Sequence, residues 1–194
     1  MKIIQIGDPI LEQKAKKVED VSSADVQEII ELLEKDVRSD VESAGLAAPQ
    51  IGKSISICTV KDIIPEEKAE NYKTITLINP VIKDVSEKTS VYWEGCLSVG
   101  EGQNRLFGPV KRPDYVSIEY IDKFGKAKSL EARGYFSHIV QHEVDHLKGI
   151  LFVKYIINPA NIWKNKDLDK YIEENGVFPP VIGENSPVSD LIVD

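Results

Sequence analysis

Apolar and polar positions change period several times along this chain, and each change predicts an element. Val26, Ile29, Ile30, Leu33 and Val37 recur at helical spacing, with Glu28, Glu31, Glu34 and Lys35 between them. That pattern lays one apolar stripe along a helix and leaves the charged face to solvent. Ser22-Ser23-Ala24-Asp25 supplies N-cap chemistry, so a helix is predicted over residues 23–41. Ahead of it, Gly7-Asp8-Pro9 marks a turn and a short helical start from Ile10. Beyond it the period falls to two. Ile51–Val60 reads as a strand whose Cys58 is a buried, inert thiol. The charged residues 61–73 read as an exposed loop, and Ile75–Ile82 as a second strand with a bend or sheet edge at Pro80. Val91-Tyr92-Trp93 leads into Glu94-Gly95-Cys96-Leu97-Ser98, and residues 99–112, with Gly100, Gly102, Gly108 and Pro109, read as a loop. Tyr115–Ile121 and Lys128–Ala132 pair as a hairpin through Asp122–Lys126. Tyr135–Leu147 returns to helical spacing, with Gly149 as its C-cap. Asn158-Pro159 starts a helix to Asn175, and the tail from Gly176 shows no period. Strands between a leading and a later helix give an α+β chain rich in antiparallel pairing.

Length and composition narrow the class. The 194 residues suggest one domain, long enough to bury a core without disulfides. With 42% hydrophobic and 29% charged residues, this is the composition of a soluble globular protein. The net charge of −8 argues against general binding to DNA or RNA phosphates, though a local patch for ribosome docking stays open. Two cysteines make no disulfide framework, so a reducing cytosol is expected. The N-terminus has no signal-peptide core. The greasy run Gly149–Ile157 is interrupted by Lys154 and is too short to span a membrane. There is no internal repeat.

The chemistry lies in Gln141-His142-Glu143-Val144-Asp145-His146. On a helix, His142 and His146 stand one turn apart on one face and can share a metal ion. Glu143 is placed to handle the proton of a water on that ion. His138 is the third histidine, but ligands at 138, 142 and 146 would span about 12 Å of helix axis, too far for bonds of about 2 Å. His138 is therefore read as a surface or packing residue. A third ligand must come from elsewhere, and Cys96, between Gly95 and Leu97 at a strand end, is the strongest candidate. Its alternative is a buried structural thiol. The segment Ser43–Gln50 likewise reads two ways, as close backbone approach to a ligand or as a tight turn.

Three segments stand in order: Gly45-Leu46-Ala47-Ala48-Pro49-Gln50, Glu94-Gly95-Cys96-Leu97-Ser98, and Gln141 through Gly149. Together they resemble the signature motifs of peptide deformylases, and the resemblance runs from Gly7 to about Phe152. It implies an α+β fold with antiparallel sheets packed around a central helix that carries His-Glu-x-x-His. The catalytic domain would cover residues 1–157, with a C-terminal extension over 158–194. The implied activity is metal-dependent hydrolysis that removes the formyl group from the N-terminal formyl-methionine of new polypeptides and releases formate. The resemblance makes Cys96, His142 and His146 the metal ligands, Glu143 the general acid and base, and Gln50 and the Leu97 N–H the oxyanion donors. Ala44 and Gly45 would pair with the peptide, and Leu97 and Ile139 would line the methionine pocket. The ion would be Fe(II), with zinc, nickel or cobalt as substitutes, and the location the cytoplasm or an organellar matrix. A non-catalytic peptide-binding homologue and a metallopeptidase on the same site are the alternatives. The chain departs from the family pattern at Ser43 and Gly100, each in place of a commoner residue, and in added residues ahead of Lys111. Arg105 is the candidate for the loop arginine that approaches substrate in the family.

Overall fold

In a computed structural model of the chain, which describes residues 2–39, 43–62 and 72–183, the leading helix α1 spans Ala24–Ser39. Its stripe Ile29, Ile30, Leu33 and Val37 is buried as the spacing predicts. Glu34 is not on the solvated face. It is buried in α1 and accepts from Thr76 Oγ1 at 2.9 Å, from Lys123 Nζ at 2.9 Å and from Arg38 at 2.7 Å. A buried carboxylate persists only with such partners.

Five strands form one antiparallel sheet in the order β1-β2-β3-β6-β7. They are β1 (Gly45–Ala47), β2 (Ile57–Asp62), β3 (Lys73–Val85), β6 (Tyr115–Ile121) and β7 (Ala127–Arg133). The second helix, α2 (Gly134–Lys148), carries the histidine motif. The sheet lies between the helices. Cys58, Val60, Leu77 and Ile118 pack with Ile139, Val140 and Val144 of α2, while Leu46, Ile57 and Ile78 pack with the α1 stripe. Both faces are covered, which is why β2 is buried almost throughout. Polar Thr59 survives there by bonding Thr76 at 3.2 Å.

A second antiparallel sheet has the order β4-β5-β8, from β4 (Thr89–Gly95), β5 (Leu106–Pro113) and β8 (Trp163–Lys164). The last helix, α3 (Asn165–Asn175), follows at once.

Several boundaries differ from the sequence reading for local reasons. The strand expected from Ile51 starts at Ile57, because Ala48–Ile51 is a 3-10 turn closed by Gly52 at φ 77°. Residues 61 and 62 end β2 and residue 73 opens β3; the remainder of that expected loop, 63–71, lies outside the described residues. Pro80 marks a bend, not an edge. β3 is interior to the sheet, and its register shifts between Ile78 and Val81 beside Asn79, at φ 50°. The loop over 99–112 is cut short at Arg105. Gly108 and Pro109 belong to β5, where a Cβ on Gly108 would lie 2.3 Å from Ile156 Cδ1. The single helix expected from Asn158 is a 3-10 turn, the short β8 and then α3. Gly149 caps α2 at φ 75° as predicted. The chain's end from residue 184 lies outside the described residues.

Candidate metal centre

β4 ends at Gly95, directly opposite Phe107 of β5. A Cβ on Gly95 would lie 2.3 Å from the Phe107 ring, so glycine lets that ring lie over the strand end. The chain then turns, with Val99 N–H donating to Cys96 O at 3.0 Å. This brings the Cys96 thiol inward, where Ser98 N–H donates to Sγ at 3.4 Å and Gln50 Nε2 at 3.5 Å. The thiolate is the form of cysteine that binds metal. Gln50 is held in turn by Ala47 N–H, which donates to its Oε1 at 2.8 Å, and by Ser98 Oγ, 3.2 Å from Nε2.

The helix delivers the other groups. The His142 and His146 rings stand 5.0 Å apart, edge to face, on successive turns of α2. Cys96 Sγ lies 3.3 Å from His146 Nε2. One ligand atom from each of Cys96, His142 and His146 falls within 4.8 Å of the others. A single ion with bonds of about 2.0–2.3 Å can bridge that spacing. One thiolate and two imidazoles suit a transition metal and not magnesium or calcium. The residues therefore fit a divalent metal. His138, by contrast, points elsewhere. It is 1% exposed, its Nε2 meets Ser90 Oγ at 3.1 Å, and its Nδ1 meets Glu94 Oε1 at 3.3 Å. It is neither a ligand nor a surface histidine but part of the wall behind the centre.

Behind the ligands lies a buried ionic cluster that spacing alone does not reveal. Glu94 Oε2 accepts from His142 Nδ1 at 2.8 Å and fixes the ring so that Nε2 faces the centre. Arg112 of β5 grips both oxygens of Glu94, at 2.6 and 3.0 Å, and Asp145 of α2 at 2.6 Å. Burial opposes a charge on Glu94, but Arg112 holds its carboxyl well below the usual carboxylate range. Burial likewise opposes charge on His142, yet Cys96 and Glu94 hold its proton well above the usual range, a proton that a bound cation would replace. Burial, with His142 beside it, keeps His146 neutral.

Glu143 sits against β1. Its carboxyl is 4% exposed, and Oε2 has no hydrogen-bond partner among the described residues. Burial pushes it up to about 7 against the pull of His142. A Cβ on Gly45 would stand 2.7 Å from Glu143 Cγ and Oε1. Gly45→Ala is therefore expected to displace the carboxylate and lower kcat/KM by about 10²-fold, the scale of a misplacement of about 1 Å. Steady-state kinetics beside an unchanged thermal midpoint would separate this from unfolding.

A cavity of about 420 Å³ opens between β1 and β4 over these groups. Gly45, Gln50, Cys96, Leu97, His142 and Glu143 all face it. Ala44 and Ile139 line it as well. Ala44 C=O is already used, accepting from Lys61 N–H at 2.8 Å. Strand alternation then turns the Gly45 N–H and C=O to the open edge of β1. Leu97 N–H donates to no group among the described residues, while Leu97 O accepts from Gln5 Nε2 at 2.9 Å. Ser43 is buried without positive φ, and its Oγ donates to Gly45 O at 3.2 Å. Arg105 also lines the cavity. Sequence reading missed roles for Glu94, Arg112, Asp145 and His138. The only available signal was an arginine and two acids inside otherwise apolar elements.

Comparison with known proteins agrees with this geometry. The family described as Polypeptide deformylase matches residues 1–179. The peptide deformylase of Rhizobium meliloti is 37% identical over 155 residues, covering 79% of this chain and 83% of the relative. That of Thermosynechococcus vestitus is 36% identical, covering 80% and 78%. Among solved structures, the peptide deformylase of Ehrlichia chaffeensis in complex with actinonin superposes with a TM-score of 0.72 at 26% identity, over 91% of this chain and 98% of that one. A probable peptide deformylase from Synechococcus phage S-SSM7 gives 0.68 at 34% identity, over 80% and 99%.

Proposed function

This chain belongs to the peptide deformylase family, and we propose on that premise that Cys96, His142 and His146 hold its divalent metal while Glu143, Gln50 and Leu97 carry the reaction. The enzyme removes the N-formyl group from new polypeptides. The observation that carries the assignment is the convergence of three ligand atoms within 4.8 Å beside a buried carboxylate.

A metal bound there supplies Lewis acidity toward water and the formyl oxygen. The protein groups do the rest. Glu143, with a carboxyl near neutrality, takes a proton from the attacking water and returns it to the departing amine. Gln50 Nε2 and the Leu97 N–H donate to the oxygen of the formyl group as it gains charge, a contribution worth about 10²–10³ in rate. The products are formate and a free amino terminus. The peptide pairs with the open edge of β1 at Gly45, with Ala44 beside it, like an added strand. Leu97 and Ile139 line the pocket for the first side chain.

Family membership points to Fe(II) as the ion used in the cell, and the ligand set accepts zinc, nickel or cobalt in its place. Residues 1–157 form the catalytic domain, and 158–194 a C-terminal extension packed on it or trailing from it. Because the substrate is a chain under synthesis, the protein works in the cytoplasm or an organellar matrix, beside the ribosome. No helix among the described residues is long and apolar enough to cross a membrane.

Metal-loaded protein is expected to release formate from a formyl-methionyl tripeptide; no formate from that substrate would overturn the reading. Cys96→Ser replaces a thiolate with a poorly ionised hydroxyl, so its metal content should fall or its metal preference change. Elemental analysis of anaerobically purified protein reads this directly, and unchanged content would remove Cys96 from the ligand set.

A further inference from the structure

The cavity does not end at β4 and α2. Leu168 and Ile172 of α3, and Phe178 beyond it, line the same space as Cys96 and Glu143. This strap is fixed to β5 at its start, and its end is tied back to the turn ahead of β8. At its start, Trp163 pairs with Phe107, and Asn165 N–H donates to Arg105 O at 2.8 Å. At its end, the Asn161 side chain binds Ile182 N–H at 2.8 Å and Ile182 C=O at 3.0 Å. Between the two, Gly176 at φ 71° caps α3 and turns the chain back. Phe178 then lies nearly parallel to Trp93 of β4, ring centroids 5.5 Å apart.

Leu168, Ile172 and Phe178 make the wall mostly apolar, with Asn165 and Asp169 beside them, and it is not closed off. Phe178 is 52% exposed, and Tyr135 at the opposite lip is 47% exposed. It also stands back from the chemistry. The Phe107 ring covers Gly95, the residue next to Cys96, and β8, where the strap starts, lies beyond β5 in the sheet. A peptide held at Gly45 with its formyl end at Glu143 would fill the inner pocket with its first side chain. What reaches Trp93, Ile172 and Phe178 are the side chains that follow.

We propose that α3 and Phe178, with Trp93, form a subsite for the residues after the formylated one, and that this subsite selects large apolar side chains. The proposal rests on the deformylase reading above. It makes the C-terminal extension a specificity element of the same active site. An apolar wall of this kind discriminates by added hydrocarbon contact, on the scale of about 10-fold or more per side chain.

The test uses the full chain and three substrates: formyl-Met-Ala-Ala, formyl-Met-Leu-Ala and formyl-Met-Ala-Leu. Formate release should be about tenfold more efficient, in kcat/KM, for the better leucine peptide than for the alanine peptide. The double substitution Ile172→Ala with Phe178→Ala should cut that ratio to about threefold or less, with the loss in KM. A wild-type ratio near unity, or a double variant that slows all three peptides by one common factor, would overturn the subsite. Titrating the products Met-Ala-Ala, Met-Leu-Ala and Met-Ala-Leu against tryptophan fluorescence reads the same preference without turnover. Absent formate with a retained leucine preference in binding therefore sinks the deformylase reading alone. Equal affinities for the three products sink the subsite.

Discussion

Glu143→Gln is expected to lower kcat/KM by about 10²–10⁴-fold while the protein keeps its metal. The amide is nearly the same size, so it fits the slot beside Gly45 that already forbids a methyl group. It cannot take a proton. Glu143 is suited to that task because burial lifts its carboxyl to about 7 and Oε2 is committed to no other group among the described residues. The ligand atoms of Cys96, His142 and His146 are untouched, so elemental analysis should give wild-type metal content. Loss of metal together with activity would instead make Glu143 a structural prop of the centre. Retained activity would remove it as the proton carrier.

Arg112→Met is expected to be the most damaging substitution outside the ligands. Arg112 is 0% exposed and joins Glu94 and Asp145, so its removal leaves buried Asp145 without its partner and Glu94 with only His138 and His142. Breaking one side of a buried pair costs roughly 3–5 kcal/mol, because the remaining charge has no partner. The denaturant midpoint should fall accordingly. A second effect separates this from ordinary destabilisation. Glu94 also orients His142 through a 2.8 Å bond, and loss of such a support weakens metal affinity by about 10–100-fold. Competition with a chelator in the folded range of denaturant measures it. Adding Glu94→Gln to Arg112→Met should recover part of the lost stability, since the buried charge that lost its guanidinium is then gone. An additive double variant would disconnect the pair.

What could be read from the residues follows the range of the interactions involved. His142, Glu143 and His146 are legible because helical periodicity alone places them together. α1, the β6–β7 hairpin and the Gly149 cap are local in the same sense. The cluster of Glu94, Arg112, Asp145 and His138 is not, because its members come from β4, β5 and α2 and meet only when the β4-β5-β8 sheet packs on the helix. Local pattern also misplaced Glu34. At the boundary of a helical stripe, a carboxylate can turn inward when Thr76 and Lys123, far away in sequence, supply its bonds. Gly108 and Pro109 look like loop residues, yet they lie in the middle of β5, where Ile156 packs against the bare backbone of Gly108. The site residues implied by resemblance line one cavity except His146, which stands 3.3 Å from Cys96 Sγ, and spacing could not have said this for Gln50 and Cys96.

β1 is only three residues long and runs straight into Pro49. An open sheet edge is ordinarily a hazard, since strands of other molecules can add to it and go on adding. Here the outward N–H of Ala47 is consumed by Gln50 at 2.8 Å, and Pro49 has none to offer. Only Gly45 keeps its outward N–H for a guest. Such an edge accepts one short segment of chain and gives a growing fibril nothing to extend, so the enzyme can hold itself open to unfolded polypeptide without becoming a seed for its aggregation.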